Sequence, residues 1–475
     1  MKSWRYLLFG WLLILGAMPT AVAQLEQHVQ TYDLTLDDCL ASTFRQYPEI
    51  QRLRVDVERA IGTKTIFRSR ALPQLSTQVA IGLRGGNLYN SGQTRTNANT
   101  GAIATNNAAA LYPTPFSSLA AEFSQPLVDV GIPPSLRRGR LEVVIAQQNL
   151  NREVTDRLHE ARTAFLRALY LRDLIALHEN IDQRLQANVE SEQQRLDVGA
   201  GSEAALKSAK IQELNLQLEL SNLRGDYFTV VTRITELCGL NLSEDAKGSR
   251  QLWLPRPVGD LQYVPVTVDL PQESAYALEH RADLKLLRAL VDATAADRQS
   301  VQAGYFPFVS LIGSALLIPQ DYLLTRQTQI VAGQQTETTE GRAGVAMSWQ
   351  VVDNGQVTGA SRRIEAIRQV YEVTLQKLEQ SVPRELATVE GSLQDADARR
   401  AALAKSAAEA EENLNLIETQ VALGQATQLD FLNAQSNLLS VRAGLADATY
   451  SHEVARAELD RATGRYLQYH FENAP

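Results

Sequence analysis

The chain has 475 residues, of which 44% are hydrophobic, 21% charged and only 6% aromatic, with a formal charge of −8. At ~150 residues per domain this length suggests about three domains. Low aromatic content argues against a large aromatic-rich β core, and the acidic balance against a nucleic-acid partner. Two cysteines are too few for a disulfide scaffold, and they lack the CxxC spacing of a zinc site.

Residues 1–23 read as a signal peptide. Lys2 and Arg5 form a charged start, Leu7 to Ala17 an apolar run too short for a comfortable membrane span, and Ala21-Val22-Ala23 a small-x-small cleavage site. Cleavage would start the mature chain at Gln24 and take its charge from −8 to −10. Neither cysteine follows the apolar run closely enough for lipidation, and no later run of ~18 apolar residues predicts a transmembrane helix.

A shorter helix is expected at about Leu36–Arg70. A strand follows over 74–84, where Leu75, Thr77, Val79, Ile81 and Leu83 alternate with small and polar residues. The segment 85–116, rich in Asn, Thr, Gly and Ala, reads as a surface loop, and 117–128 as a second alternating strand. A long helix is predicted over 133–198, about 100 Å at ~1.5 Å per residue. Gly199 stops it and Ser202 caps a return helix over 202–238. On that helix Leu216, Leu220, Leu223, Tyr227, Val230, Ile234 and Leu237 alternate spacings of four and three, a coiled-coil seam. After a linker at 241–270 the same plan returns. It has a helix near Gln272–Ala303, strands at 307–317 and 342–352 around a loop at 318–341, and a long helix over 358–423 interrupted by hardly more than Pro383. Gly424 stops that helix, Thr427 caps a return helix over 427–463, and 465–475 form a tail.

The likeness of the halves is explicit in the residues. Tyr47-Pro48-Glu49-Ile50 aligns with Arg281-Ala282-Asp283-Leu284, and Leu72-Pro73-Gln74-Leu75-Ser76 with Phe306-Pro307-Phe308-Val309-Ser310, both at an offset of 234. Asp129-Val130-Gly131 matches Asp353-Asn354-Gly355 at 224, and Val198-Gly199 matches Leu423-Gly424 at 225. Ordered matches at nearly constant offset indicate a tandem duplication, with repeats at 24–240 and 271–464.

Each strand has one apolar face and one small, polar face, as in a barrel lining a wet lumen. Tyr112, Phe116, Tyr305, Phe306, Phe308 and Trp349 cluster near strand ends, where an aromatic girdle would sit. Four strands cannot close a barrel, and an open edge in lipid leaves backbone groups unsatisfied at several kcal/mol each. Copies of the chain must therefore share one barrel. Three would supply about twelve strands and leave a passage.

The ordered plan of helix, "LPQLS" strand, loop, strand, long helix, "VGAGS" or "LGQAT" turn, return helix and terminal "CG" or "TG" resembles the TolC-like outer-membrane efflux protein family over nearly the whole mature chain. The resemblance implies an α+β membrane protein. The tandem-duplicated protomer would give four β-strands of a trimeric 12-stranded β-barrel plus a long α-helical coiled-coil periplasmic tunnel. It implies a homotrimer in outer-membrane lipid, working with a periplasmic adaptor (membrane fusion) protein and an inner-membrane transporter, and carrying drugs, metals, metabolites or polypeptide. It implies a mixed domain built from Asn241–Leu270 and the tail after Gly464. The family's tip motif fits Gly424, Thr427, Asp430, Leu432 and Ala434, which makes Asp430 the acid of a pore-entrance ring. Asn433 stands where some relatives carry a second acid, and the first repeat offers Glu203 near the matching Ala205. Asp430 reads equally as a first-turn helix acid. The resemblance makes Gly199, Ser202, Gly424 and Thr427 adaptor-docking tips.

No enzyme chemistry or cofactor is expected. The six histidines are scattered without HExxH spacing, and neither a GxSxG elbow nor a phosphate loop is present. The alternative to a channel is a periplasmic or surface coiled-coil structural protein. Cys39, at the start of one helix, and Cys238, at the end of another, fall at one level if the shorter helices stack on the returning ones. They read either as a disulfide or as two unrelated small buried residues.

Overall fold

The computed structural model describes residues 29–87, 95–96, 103–104, 111–199, 201–239, 243–244, 250–319 and 337–468. The expected signal peptide, most of both loops, part of the linker and the end of the tail lie outside them. The elements in chain order are β1 (Val29–Leu34), α1 (Leu36–Gln46), α2 (Pro48–Ser69), β2 (Gln74–Asn87), β3 (Arg95–Thr96), β4 (Ile103–Ala104), β5 (Leu111–Val128), α3 (Ile132–Asp197) and α4 (Glu203–Leu237). There follow β6 (Ser243–Glu244), β7 (Arg250–Pro257), α5 (Leu270–His280), α6 (Ala282–Gln302), β8 (Phe308–Pro319), β9 (Glu337–Ser348), α7 (Gln356–Ala422) and α8 (Gln428–Thr463). None of the described helices is long and apolar enough to cross a membrane.

The chain divides into two compact units. The first comprises 1–58, 145–288 and 372–475, the second 59–144 and 289–371.

The second unit holds an antiparallel sheet in the order β2-β5-β8-β9. Its register carries one face across all four strands. Val79 pairs with Leu119, Leu119 with Leu317, and Leu317 with Thr339; Leu75 pairs with Phe123, Phe123 with Gly313, and Gly313 with Ala343. The other face carries Ser76, Gln78, Glu122, Ser124, Ser310, Ser314, Glu340 and Arg342, together with Ile312 and Leu316 of β8, and Arg342 is bonded to Glu340. Period-two side-chain alternation makes this separation possible, because a one-residue slip would turn every side chain over.

Three differences from expectation appear here. The ladder runs further into the polar segments than composition suggests, with β2 reaching Asn87, β5 starting at Leu111, β8 reaching Pro319 and β9 starting at Glu337. Backbone pairing requires no apolar side chain, so polar composition does not mark the strand end. β9 stops at Ser348 rather than at 352 because its partner begins at Phe308, just past Pro307. Asp353 then takes the chain out of the ladder: its carboxylate accepts from the N–H groups of Gly355 at 3.0 Å and Val357 at 2.9 Å. In the first repeat Asp129 likewise accepts from Gly131, at 2.7 Å. Finally, β5 is bulged between Pro126 and Val128, where proline cannot donate to the ladder. Tyr305, Phe306, Phe308 and Trp349 are exposed at the foot of the sheet. The side chains of Tyr112 and Phe116 lie outside the described residues.

The first unit is helical around a small sheet in which β1 pairs in parallel with β7 and β7 antiparallel with β6. The strand ahead of the first helix had no sequence signal. The helices expected to run unbroken over Leu36–Arg70 and Gln272–Ala303 are each broken, at Tyr47 (ψ 124°) and Arg281 (ψ 130°). Pro48 forces the first break by excluding the helical conformation from the residue before it. At the second, the Arg281 guanidinium is held by Asp283 (2.9 Å), Glu385 (2.6 Å) and the Ala462 carbonyl (3.1 Å).

The coiled-coil seam of α4 is spent on three clusters. Leu216 packs with Ile181, Leu185 and Leu432; Leu223, Tyr227 and Val230 against Tyr170, Leu171 and Leu174; and Ile234 and Leu237 with Leu40, Phe165 and Tyr466. On α8 the equivalent Ala448, Ala455, Leu459 and Ala462 are buried. Ala448, Ala455 and Ala462 stand where the first repeat has the larger Leu223, Val230 and Leu237.

The duplication also persists in charge, with its polarity reversed. In the first repeat Arg233 bonds Glu160 at 2.9 Å and also pairs with Glu236. In the second, Arg461 bonds Glu385 at 2.7 Å and Glu458 at 3.0 Å. At an offset of 225, Glu160 corresponds to Glu385, Arg233 to Glu458 and Glu236 to Arg461. The i,i+3 pair has exchanged ends while the carboxylate across from it has stayed.

Candidate functional site

The two helix turns that carry the candidate residues belong to the first unit. Gly199 and Gly424 both adopt left-handed backbone, with φ of +74° and +71°, and their N–H groups bond back to Leu196 and Val421 at 3.0 and 3.1 Å. This is the cheap glycine stop for a long helix, and open space surrounds both positions. The turns then diverge. At Gly201 an added Cβ would lie 2.6 Å from the Leu196 nitrogen, so only glycine fits where the chain folds back on α3. In the second repeat Ala426 occupies that place, and the N–H groups of Gln425 and Ala426 share the Gln420 carbonyl. The need for glycine at 201 depends on this close approach, which the pattern of apolar residues does not report.

The return helices are capped with different strength. Ser202 accepts from the Ala204 N–H at 3.2 Å, and Glu203 beside it is exposed and paired with Lys207 at 2.7 Å. Thr427 and Asp430 form a full capping box. Thr427 accepts from the Asp430 N–H at 3.2 Å, while Asp430 Oδ2 accepts from the Thr427 N–H at 2.9 Å and from its hydroxyl at 2.6 Å. The Thr427 hydroxyl and N–H hold the Asp430 carboxyl below the ordinary aspartate range, so it carries a negative charge at neutral pH. Asn433 lies one turn further along α8 and is exposed. The capping role and an exposed fixed charge thus coexist in Asp430.

Behind the second turn, the Gln428 amide donates to Asn188 of α3, joining the two repeats. Leu432 seals the same place against Ile181, Leu185 and Leu216. Neither polar residue carries a motif, and only the packed helices bring them together. Cys39 and Cys238 also meet, with their sulfurs 3.5 Å apart in the core of the first unit. Among the described residues no group of three or more His, Cys, Asp or Glu side chains could hold a metal ion.

Residues 274–465 match the family "Outer membrane efflux protein". The outer membrane efflux protein BepC of Brucella suis biovar 1 (strain 1330) is 23% identical over 327 residues, which are 68% of this chain and 66%, just under two thirds, of that relative. The outer membrane protein VceC from Vibrio cholerae superposes with a TM-score of 0.69 at 17% identity, over 90% of this chain and 96% of that one. The Campylobacter jejuni CmeC outer membrane channel gives a TM-score of 0.71 at 12% identity, over 90% and 85%. At such identities the structural likeness speaks for the fold. With the family match over the second repeat, it makes this chain similar to the outer-membrane efflux proteins in fold and, over residues 274–465, in sequence.

Proposed function

We propose that three copies of this chain form an outer-membrane channel that conducts small molecules or polypeptide out of the cell as the exit duct of a tripartite efflux system. The observation that carries this reading is the four-stranded sheet, apolar on one face and mostly small or polar on the other, whose outer strands β2 and β9 have one described neighbour each. Pairing β2 of one copy with β9 of the next would satisfy both edges and close about twelve strands around a wet passage, as lipid demands. The protein is not an enzyme. It is a passive conduit, driven by the inner-membrane pump to which a periplasmic adaptor links it.

In this reading the turns at Gly199–Ser202 and Gly424–Thr427 are the adaptor's docking tips. Three Asp430 carboxylates ring the periplasmic entrance, with Asn433 and Glu203 beside them. An ionised ring in a narrow pore attracts cations and repels anions. The aromatic side chains at the sheet's foot would anchor at the lipid interface.

The test combines mass and conductance. Light scattering of the detergent-extracted protein, corrected for bound detergent, should give three copies, and planar bilayers should show discrete steps in conductance. A soluble monomer that leaves bilayers silent would remove the channel and leave a coiled-coil structural protein.

A further inference from the structure

Each repeat brings the end of its return helix against its own helix break, but the two junctions are fastened differently. Gly239 has φ +65°, and an added Cβ there would stand 2.8 Å from the Gln46 carbonyl oxygen at the end of α1. Gly464, its duplicate, has φ +80° and would place a Cβ 3.4 Å from the Cα of Arg281, just past α5. In the second repeat the junction is held by charge: Arg465 donates to Glu273 of α5 at 2.7 Å. Glu273 is the duplicate of Cys39 at the offset of 234, and Thr463 is the duplicate of Cys238 at 225. The first repeat therefore has a thiol where the second has the carboxylate of its ion pair. The other thiol precedes the glycine of the close approach. Both cysteines are fully buried beside Leu40, Leu237 and Tyr466, with a sulfur–sulfur distance of 3.5 Å.

We propose that Cys39 and Cys238 are joined by a disulfide in the exported protein, a covalent fastener for the first repeat where the second uses an ion pair. The proposal rests on the outer-membrane reading, since a chain folding outside the cytoplasm meets an oxidising compartment. The oxidant is the disulfide of a thiol–disulfide oxidoreductase. One cysteine thiolate attacks it to give a mixed disulfide, and the second displaces the enzyme's sulfur. The electron pair and the two thiol protons leave on the oxidoreductase, now a dithiol. Full burial of the pair requires this exchange to precede closure of the core. The link encloses nearly all of the first repeat, and long loops are where a cross-link restricts the unfolded chain most.

Protein recovered from the outer-membrane fraction should be denatured directly into an alkylating reagent, then digested and weighed without reduction. The expected result is no alkylated cysteine, and a peptide pair linking Cys39 to Cys238 that reduction separates. Alkylation of both cysteines in membrane-fraction protein would overturn the disulfide and leave the channel reading standing, as would links only between different copies. Thermal unfolding gives a second readout: the Cys39→Ser/Cys238→Ser variant should unfold several degrees below the oxidised parent. Equal melting temperatures would remove the fastening role.

Discussion

Val79→Arg tests whether the apolar sheet face meets lipid or water. In the protomer Val79 is 66% exposed, on the same face as Leu75 and Ile81, which are 71% and 81% exposed. It pairs with Leu119, near the middle of the β2–β5 ladder. On a soluble protein a substitution at so exposed a site changes stability by no more than about 0.5 kcal/mol. Facing the hydrocarbon of a barrel, an arginine costs about 2–4 kcal/mol per chain, hence about 6–12 kcal/mol for a three-chain barrel. At ~1.4 kcal/mol per decade, assembly would fall by at least about four orders of magnitude. The assay is the yield of trimer in the outer-membrane fraction, read by gel mobility before and after heating. Gln78→Arg serves as the control, since Gln78 lies on the opposite, polar face and should assemble normally. The lipid-facing reading is refuted if Val79→Arg trimerises and resists urea as the parent does.

Glu458 predicts a pH dependence. Burial raises its pKa, but hydrogen bonds from His159 at 3.1 Å and Arg461 at 3.0 Å outweigh that and hold it at about 2. Its folded pKa lies below the ordinary 4.5, so its stabilisation is present above that pH and is lost as pH falls towards 2. The shift corresponds to about 3 kcal/mol, reduced to about 1–2 kcal/mol for a carboxylate still 30% exposed. Urea titrations of Glu458→Gln should show this increment missing at pH 7 and the difference from the parent closing by pH 2. Asp430→Asn keeps an oxygen for the Thr427 N–H while removing the charge. Cation selectivity in bilayers should therefore drop with the melting temperature nearly unchanged, whereas Asp430→Ala should lower both. Gly201→Ala forces the contact with Leu196 and should cost about 1–3 kcal/mol, measured as a shift of the unfolding midpoint.

The duplication, the long helices, the glycine stops, the strand faces and the absence of enzyme motifs all follow from local rules. Period two or 3.6, a left-handed glycine and a capping Ser or Thr leave their marks within a few residues, so they can be read one segment at a time. That is why the fold class was legible and why Asp430 could be seen as a first-turn helix acid. Other features depended on residues far apart in the chain. The parallel pairing of β1 with β7 joins segments about 220 residues apart, and neither strand marks its partner. The break at Arg281 has no proline; it is held by Glu385 and the Ala462 carbonyl, which only packed helices bring near. The end of β9 at Ser348 was set by where its partner strand begins rather than by composition. Asn188 with Gln428, Gly201 against Leu196, and Cys39 against Cys238 share this origin. Sequence specified each element through its neighbours along the chain, whereas tertiary structure decided the contacts that exist only once distant segments exclude water together.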